Sequence, residues 1–259
     1  MGGTRGFLNT GACLLVLALA GGLASLEGAE RAPLPLLRKL DAHYYYPQRL
    51  GLKKLEMRVH WAQLDRGGDP AHQTYLNNPP AVFIWNEDLP EGRFELDASG
   101  GPVSPVRELE IIRHLSNYRE MFLPVPLEDK LEGHELASYR IRGEFIEAGL
   151  IAGPPSAILR YDLKIDPSKW NIKRVHIRRA RPPFHVESRL KYVPRGEFWQ
   201  VAESRSRFST GGKTYEERVE FVHRFIEGFW LPVRIRQELR EEGHLAQVHL
   251  FQIRHHRIN

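Results

Sequence analysis

The chain has 259 residues, 37 Lys and Arg against 32 Asp and Glu for a formal charge of +5, and one cysteine, Cys13. Cys13 sits inside an N-terminal apolar run; if that run is removed on export, disulfides, thiol catalysis and cysteine-ligated metal are all excluded. The charges are interspersed along the sequence with no clustered basic stripe. That argues against nucleic acid and leaves transient contact with an anionic membrane surface as the alternative to an ordinary solvated surface.

In chain order, one basic residue, Arg5, precedes an uncharged stretch from Gly6 to Leu26 whose apolar heart runs from Ala12 to Ala20. A charged start, a short apolar core and a small-residue exit describe a secretory signal, with Gly22-Leu23-Ala24 placing a cut after Ala24; a cut nearer Ala29 ranks second. The competing reading is an uncleaved N-terminal membrane anchor, for which the run is short, since a spanning helix needs about 20 apolar residues. Cys13 opens the apolar core instead of following it, a poor position for lipid modification. Residues 1–24 are therefore expected to be a signal peptide and residues 25–259 a single domain in the periplasm.

Leu34 to Tyr46 reads as a short amphipathic helix ended by Pro47. From Lys54 to Trp61 the period changes to two, with Leu55, Met57, Val59 and Trp61 on one face and Lys54, Glu56, Arg58 and His60 on the other. Arg66-Gly67-Gly68-Asp69-Pro70 breaks the chain, and two strands are expected near 81–86 and 93–97. Pro105 to Met121 predicts a helix with Val106, Leu109, Ile112, Leu115 and Met121 as its apolar stripe, part of a helical insert at about 100–135. From Tyr139 onward the pattern is β. Tyr139, Ile141 and Phe145 are read on one strand face, and Leu159, Tyr161, Leu163 and Ile165 on another. Gly196, Gly211-Gly212, Gly228 and Gly243 fall at hairpin turns. Short gaps favour antiparallel neighbours. Ten or eleven strands and two helices make a sheet polar outside and apolar inside, which must curl over its own apolar face.

Motifs that carry chemistry are absent. There is no HExxH, G-x-S-x-G, phosphate loop or dinucleotide fingerprint, and Thr210-Gly211-Gly212-Lys213 reads as a hairpin turn. The 12 histidines show no ligand spacing, and His223, in phase with Phe221 and Phe225, reads as an inward core histidine. No catalytic residue, metal ligand or cofactor is expected. The feature with functional content is the apolar concave face, with Met57, Val59, Trp61, Trp85, Tyr161, Leu163, Phe184, Val186, Phe221 and Phe225 as candidates to touch an apolar ligand.

One resemblance joins these pieces. The helix Leu36–Tyr45, the bridge Leu50-Gly51-Leu52-Lys53, Ile165-Asp166-Pro167 before Trp170–Val175, the Trp199 strand and Tyr215 through Phe229-Trp230-Leu231-Pro232-Val233 resemble the periplasmic lipoprotein-carrier (LolA-type) superfamily. The resemblance implies a mainly β (α+β) fold: a large curled antiparallel sheet forming an incomplete β barrel, with two or three helices as a lid. It implies a non-enzymatic protein holding the acyl chains of a lipid or lipoprotein. The alternatives are an envelope sensor or scaffold of the same fold that binds a protein partner, and a hydrolase-type enzyme built into the cavity.

Overall fold

The computed structural model describes residues 35–65, 74–153 and 156–259. The apolar N-terminal run with its expected cut after Ala24, and the Arg66–Pro70 break, lie outside those residues. Among the described residues no helix is long and apolar enough to cross a membrane.

Among the described residues thirteen strands form one antiparallel sheet. They are β1 (Lys54–Leu64), β2 (Tyr75–Asn77), β3 (Ala81–Asn86), β4 (Leu89–Leu96), β5 (His134–Arg142), β6 (Phe145–Ala152), β7 (Ile158–Asp166), β8 (Asn171–Arg179), β9 (His185–Arg195), β10 (Phe198–Thr210), β11 (Lys213–Ile226), β12 (Phe229–Glu241) and β13 (His244–Ile258). The order is β4-β3-β1-β13-β12-β11-β10-β9-β8-β7-β6-β5, with β2 beside β1. From β5 to β13 every strand pairs with its sequence neighbour, as short turns dictate. The first strand then closes against the last, with Trp61 opposite Phe251. The ends, β4 and β5, do not pair, so the sheet is the incomplete barrel expected. In β1 and β7 buried and wetter residues alternate, which is the period-two pattern made physical.

Four helices cover the inner face: α1 (Pro35–Asp41), α2 (Pro105–Ser116), α3 (Arg119–Phe122) and α4 (Leu127–Lys130). Several elements differ from the sequence reading. The first helix stops at Asp41 because the next residues are recruited as extended chain. Trp199 N–H donates to the His43 carbonyl at 2.7 Å and Tyr45 N–H to the Trp199 carbonyl at 2.9 Å. The expected helix to Met121 breaks at Asn117–Tyr118, and its buried stripe is Ile111, Leu115 and Tyr118. Val106 and Leu109 stand 70% and 65% exposed, one helical face away. Phe145 does not share a strand with Tyr139 and Ile141. Gly143, at φ 59°, turns the chain there, and Phe145 opens β6 opposite Arg142. Leu159 falls at a register shift between Ile158 and Arg160 and is exposed.

Helix α2 docks on an aromatic set. Trp61 Nε1 donates to His249 Nδ1 at 2.8 Å, and the Trp61 ring stacks on His114 of α2 with centroids 4.5 Å apart. Burial, reinforced by neighbouring His114, pushes the His249 pKa down to about 3; burial, reinforced by Arg107, pushes His114 down to about 4. The unfolded chain binds these protons near pH 6.5 and the folded one does not. Stability is therefore full above that value and is lost as pH falls toward the folded values. Each histidine is expected to remove on the order of 2 kcal/mol by pH 5. Urea unfolding at pH 7 and pH 5 checks this: the midpoint drops for the parent chain, and His114→Gln makes the drop shallower. An equal drop in both would contradict it.

Candidate functional site

The inner face carries two apolar clusters. The first gathers β1, β3, β4 and the ends of β11–β13 under α2 and α3, around Met57, Phe83, Phe122 and Phe251. The second gathers β6–β10 under α1 and α4, around Leu40, Leu150, Ile165 and Val186. Polar side chains run obliquely between them. Ser188 and Ser206 hydroxyls lie 2.8 Å apart, Gln237 Nε2 donates to Glu217 Oε1, and His249 follows on the next strand. All five are buried. Each occupies an inward strand position where an apolar side chain would have fused the clusters, and buried polar groups stay where partners satisfy them.

An apolar pocket of roughly 90 Å³ is bordered by both clusters. Met121, Phe122 and Leu231 from the first cluster and Leu127 and Ile172 from the second share its wall, with Phe221, Trp199 and Trp230 between them. Three consecutive tyrosines close one side, each tied differently. Ile172 N–H donates to Tyr44 Oη at 2.8 Å, and the Tyr44 hydroxyl meets that of Tyr192 at 3.2 Å. Trp230 N–H donates to Tyr45 Oη at 2.7 Å. The Tyr46 hydroxyl donates to Asp41 Oδ1 at 2.7 Å. Burial above all raises the pKa of Tyr44 and Tyr46, so both remain neutral donors and acceptors. His223 faces inward as expected, stacked on Phe221; burial, then Arg195, lowers its pKa to about 3.

The cover over the pocket hangs on few polar ties. The buried Asp41 carboxylate accepts from Tyr46, from the backbone N–H groups of Leu127 (2.9 Å) and Glu128 (3.0 Å) at the start of α4, and from Arg49 at 3.3 Å. Lys130 of α4 is paired with Glu120 of α3, and burial lowers its pKa despite that carboxylate. Between α3 and α4, Pro124 and Pro126 withhold two backbone donors.

Of the ten residues singled out from sequence, Met57, Val59, Trp61 and Trp85 lie in the first cluster and Tyr161, Leu163 and Val186 in the second. Only Phe221 borders the pocket. Phe184 is 54% exposed: Arg179 N–H donates to its carbonyl, closing a turn before β9 that leaves the ring outside. Phe225 is 62% exposed near the end of the β11–β12 hairpin, against Trp230. The residues missed as pocket walls are Tyr44–Tyr46, Trp199 and Trp230. Their signal was adjacency. Neighbouring aromatics, as in Phe198-Trp199 and Phe229-Trp230, cannot both point into one face of a strand, so a second cover must meet one of them. Among the described residues, no three His, Cys, Asp or Glu side chains converge as a metal site.

No family model and no curated protein matches the chain. Among solved structures it is similar to a LolA superfamily protein from Nitrosomonas europaea, 8% identical over 89% of this chain and 94% of that one, at a TM-score of 0.29. It is also similar to a DUF1329 family protein from Desulfovibrio piger, 10% identical over 86% and 90%, at 0.34. A third is a domain named for outer membrane lipoprotein sorting from Vibrio parahaemolyticus, 7% identical over 88% and 92%, at 0.32. The first of these three is named for the superfamily that the residues resemble.

Asp41→Asn replaces one acceptor oxygen by a donor facing donors. It is expected to destabilise the chain by about 2–3 kcal/mol. Hydrogen exchange should show faster exchange at Leu127 and Glu128 than at β12 amides. Unchanged exchange at α4 would refute the latch role.

Proposed function

We propose that the chain is an exported, non-enzymatic binding protein that holds an apolar ligand, the acyl chains of a lipid or lipoprotein, between its sheet and its helical cover. The observation that carries this reading is the seam: two apolar clusters on one face are kept apart, and an aromatic-lined pocket bridges them under a cover of four-residue helices. Ligand sites of drug-sized molecules occupy about 300–1,000 Å³, so the roughly 90 Å³ present is an entrance and not a full site. Loading an acyl chain requires α3 and α4 to lift, exposing the clusters on either side. The candidate contacts then become Phe221 at the entrance, with Met57, Val59, Trp61 and Trp85 along one arm and Tyr161, Leu163 and Val186 along the other. Ligand burial at about 25 cal/mol per Å² of apolar area sets the driving force, less the work of displacing the cover.

A protein-binding scaffold is the second reading, favoured by the edge strand β5. Its inner face bears Leu136, Tyr139 and Ile141, all exposed, and Ile141 is 72% so. The export signal over residues 1–24 and a single domain over 25–259 belong to the same proposal.

The test is native mass spectrometry of protein taken from its own envelope, with uptake of a fluorescent fatty acid read through Trp199 and Trp230. Acyl ligand is expected to co-purify, and Asp41→Asn should speed uptake several-fold by loosening the cover. No bound lipid and no probe uptake by either form would overturn the carrier reading in favour of the scaffold.

A further inference from the structure

Charges that alternate along the sequence are lined up by the strand register on the outer face. Lys164 of β7 lies opposite Arg174 of β8, Arg174 opposite Arg189 of β9, Arg189 opposite Arg205 of β10, and Arg205 opposite Arg218 of β11. Five cations therefore occupy one straight row on five adjacent strands. At the 4.7–4.9 Å strand spacing the row spans about 19 Å. Like charges directly opposite one another destabilise a sheet, so this row is held against folding preference. The neighbouring row is matched in the ordinary way: Asp162 faces His176, Glu187 faces Arg207, and Glu216 faces both Arg207 and Arg240.

Carboxylates of the flanking rows hold the cations without balancing them. Glu187 is shared by Arg174 at 3.6 Å and Arg189 at 3.5 Å, and Glu203 by Lys191, Arg205 and Arg218; Glu220 also meets Arg218, at 2.7 Å. Lys164 faces Glu147 of β6 across the register, a carboxylate already tied to Arg140, and rests on the Phe145 ring at 3.9 Å. At its β5 end the row runs into a groove of about 650 Å³ that adds Arg140, Arg142 and Arg160. Arg140 is tied to Glu147 at 2.6 Å and Arg160 to Asp162 at 2.7 Å. Gly149 lies under the groove, and a Cβ there would push the Arg160 and Ser138 side-chain ends aside.

We propose that this cationic row and groove form a binding site for a linear polyanion, an acidic polysaccharide whose carboxylates or sulfates lie along the row. The shape excludes a flat anionic surface. A membrane laid on this face would also press its headgroups onto Glu187, Glu203 and Glu220, whereas a single chain meets only the stripe between them. A single-stranded nucleic acid would want a succession of aromatic platforms for its bases, and the site offers only Phe145, covered by Lys164, and Tyr139 in the groove. The site is on the face opposite the apolar pocket and does not rest on the carrier reading.

The experiment is a calorimetric titration of the full chain at about 0.15 M salt with size-defined polyuronate and heparin oligosaccharides, with free glucuronate and phosphatidylglycerol vesicles as comparison arms. Oligosaccharide binding that tightens with chain length, weakens with salt and exceeds binding to glucuronate and vesicles is expected. Arg174→Gln/Arg189→Gln should weaken it about tenfold or more, while Arg207→Gln/Arg240→Gln, which removes the same charge from the adjacent row, should change it less than about threefold. Lys164→Gln, a single change that leaves every arginine of the row in place, should weaken binding several-fold. No binding by the parent chain, equal loss in both double variants, no loss in Lys164→Gln, or vesicles binding as well as oligosaccharide would each overturn the proposal. Fatty-acid uptake measured in the same variants separates this outcome from failure of the carrier reading, because the row lies outside the pocket.

Discussion

A single sheet of thirteen strands has one apolar face and too little helix to cover it, and the rest of the structure follows from that constraint. Two-layer domains hide a sheet face under another sheet or under several long helices. Here the longest helix is α2, at twelve residues, and α3 and α4 have four each. The sheet therefore bends until its own strands face one another, and the helices fill what remains. Strand pairing of β1 with β13 makes this possible, because it joins the first and last segments of the β region and leaves β4 and β5 as the two ends of the sheet, with the short β2 beside β1. Closing those edges would remove the mouth through which the helices enter.

The inner face is also divided. A continuous apolar core would have been the simpler solution, since Ser206, Glu217, Gln237 and His249 all sit where inward apolar residues would be expected. Burying such groups is unfavourable unless each finds partners, and removing one partner leaves the other orphaned. The polar diagonal thus separates two packed regions on one face of a continuous sheet. Asp41 works in the same sense at the cover. One buried carboxylate gathers the N-terminus of α4, Tyr46 and Arg49, so hydrogen bonds at one end of α4 add to the apolar packing of Leu127 and Leu131.

Period-two alternation made most of the strands and the inside-out polarity of the sheet readable from sequence, because each strand has one wet face. It failed where the pattern was local and the structure was not. The turn at Gly143 divides a run that alternates smoothly across it, so Phe145 was assigned to the wrong strand and face. Helix periodicity in 105–121 gave one stripe through Val106, Leu109, Ile112, Leu115 and Met121, and the face that docks is turned toward Ile111 and Leu115, beside Trp61 and His249, the second more than a hundred residues away. The pocket was less legible than the fold. Inward position alone does not distinguish a filled core from a lined space, so Met57 and Val186 looked equivalent to Phe221. What distinguishes them is which helix lands on top, and that depends on Asp41 and the tyrosine run, whose partners are distant in sequence.

The same limit governs the outer face, with the opposite consequence. Composition suggested mixed, mutually neutralising charges, and along each strand that is true: Glu187 stands two residues from Arg189, and Glu203 two from Arg205. Across the strands it is false, because register brings Arg174, Arg189, Arg205 and Arg218 side by side. A shift of two residues in one direction would bring Arg174 opposite Glu187, or Arg189 opposite Glu203, and relieve the repulsion there. The bulge at Val201/Glu203 instead adjusts β10 so that Arg205 falls into line. A sheet selected for stability alone has the opposite incentive, since opposed unlike charges contribute roughly 0.2–1 kcal/mol per pair. The arrangement is what a protein keeps when something outside the fold supplies the missing negative charge.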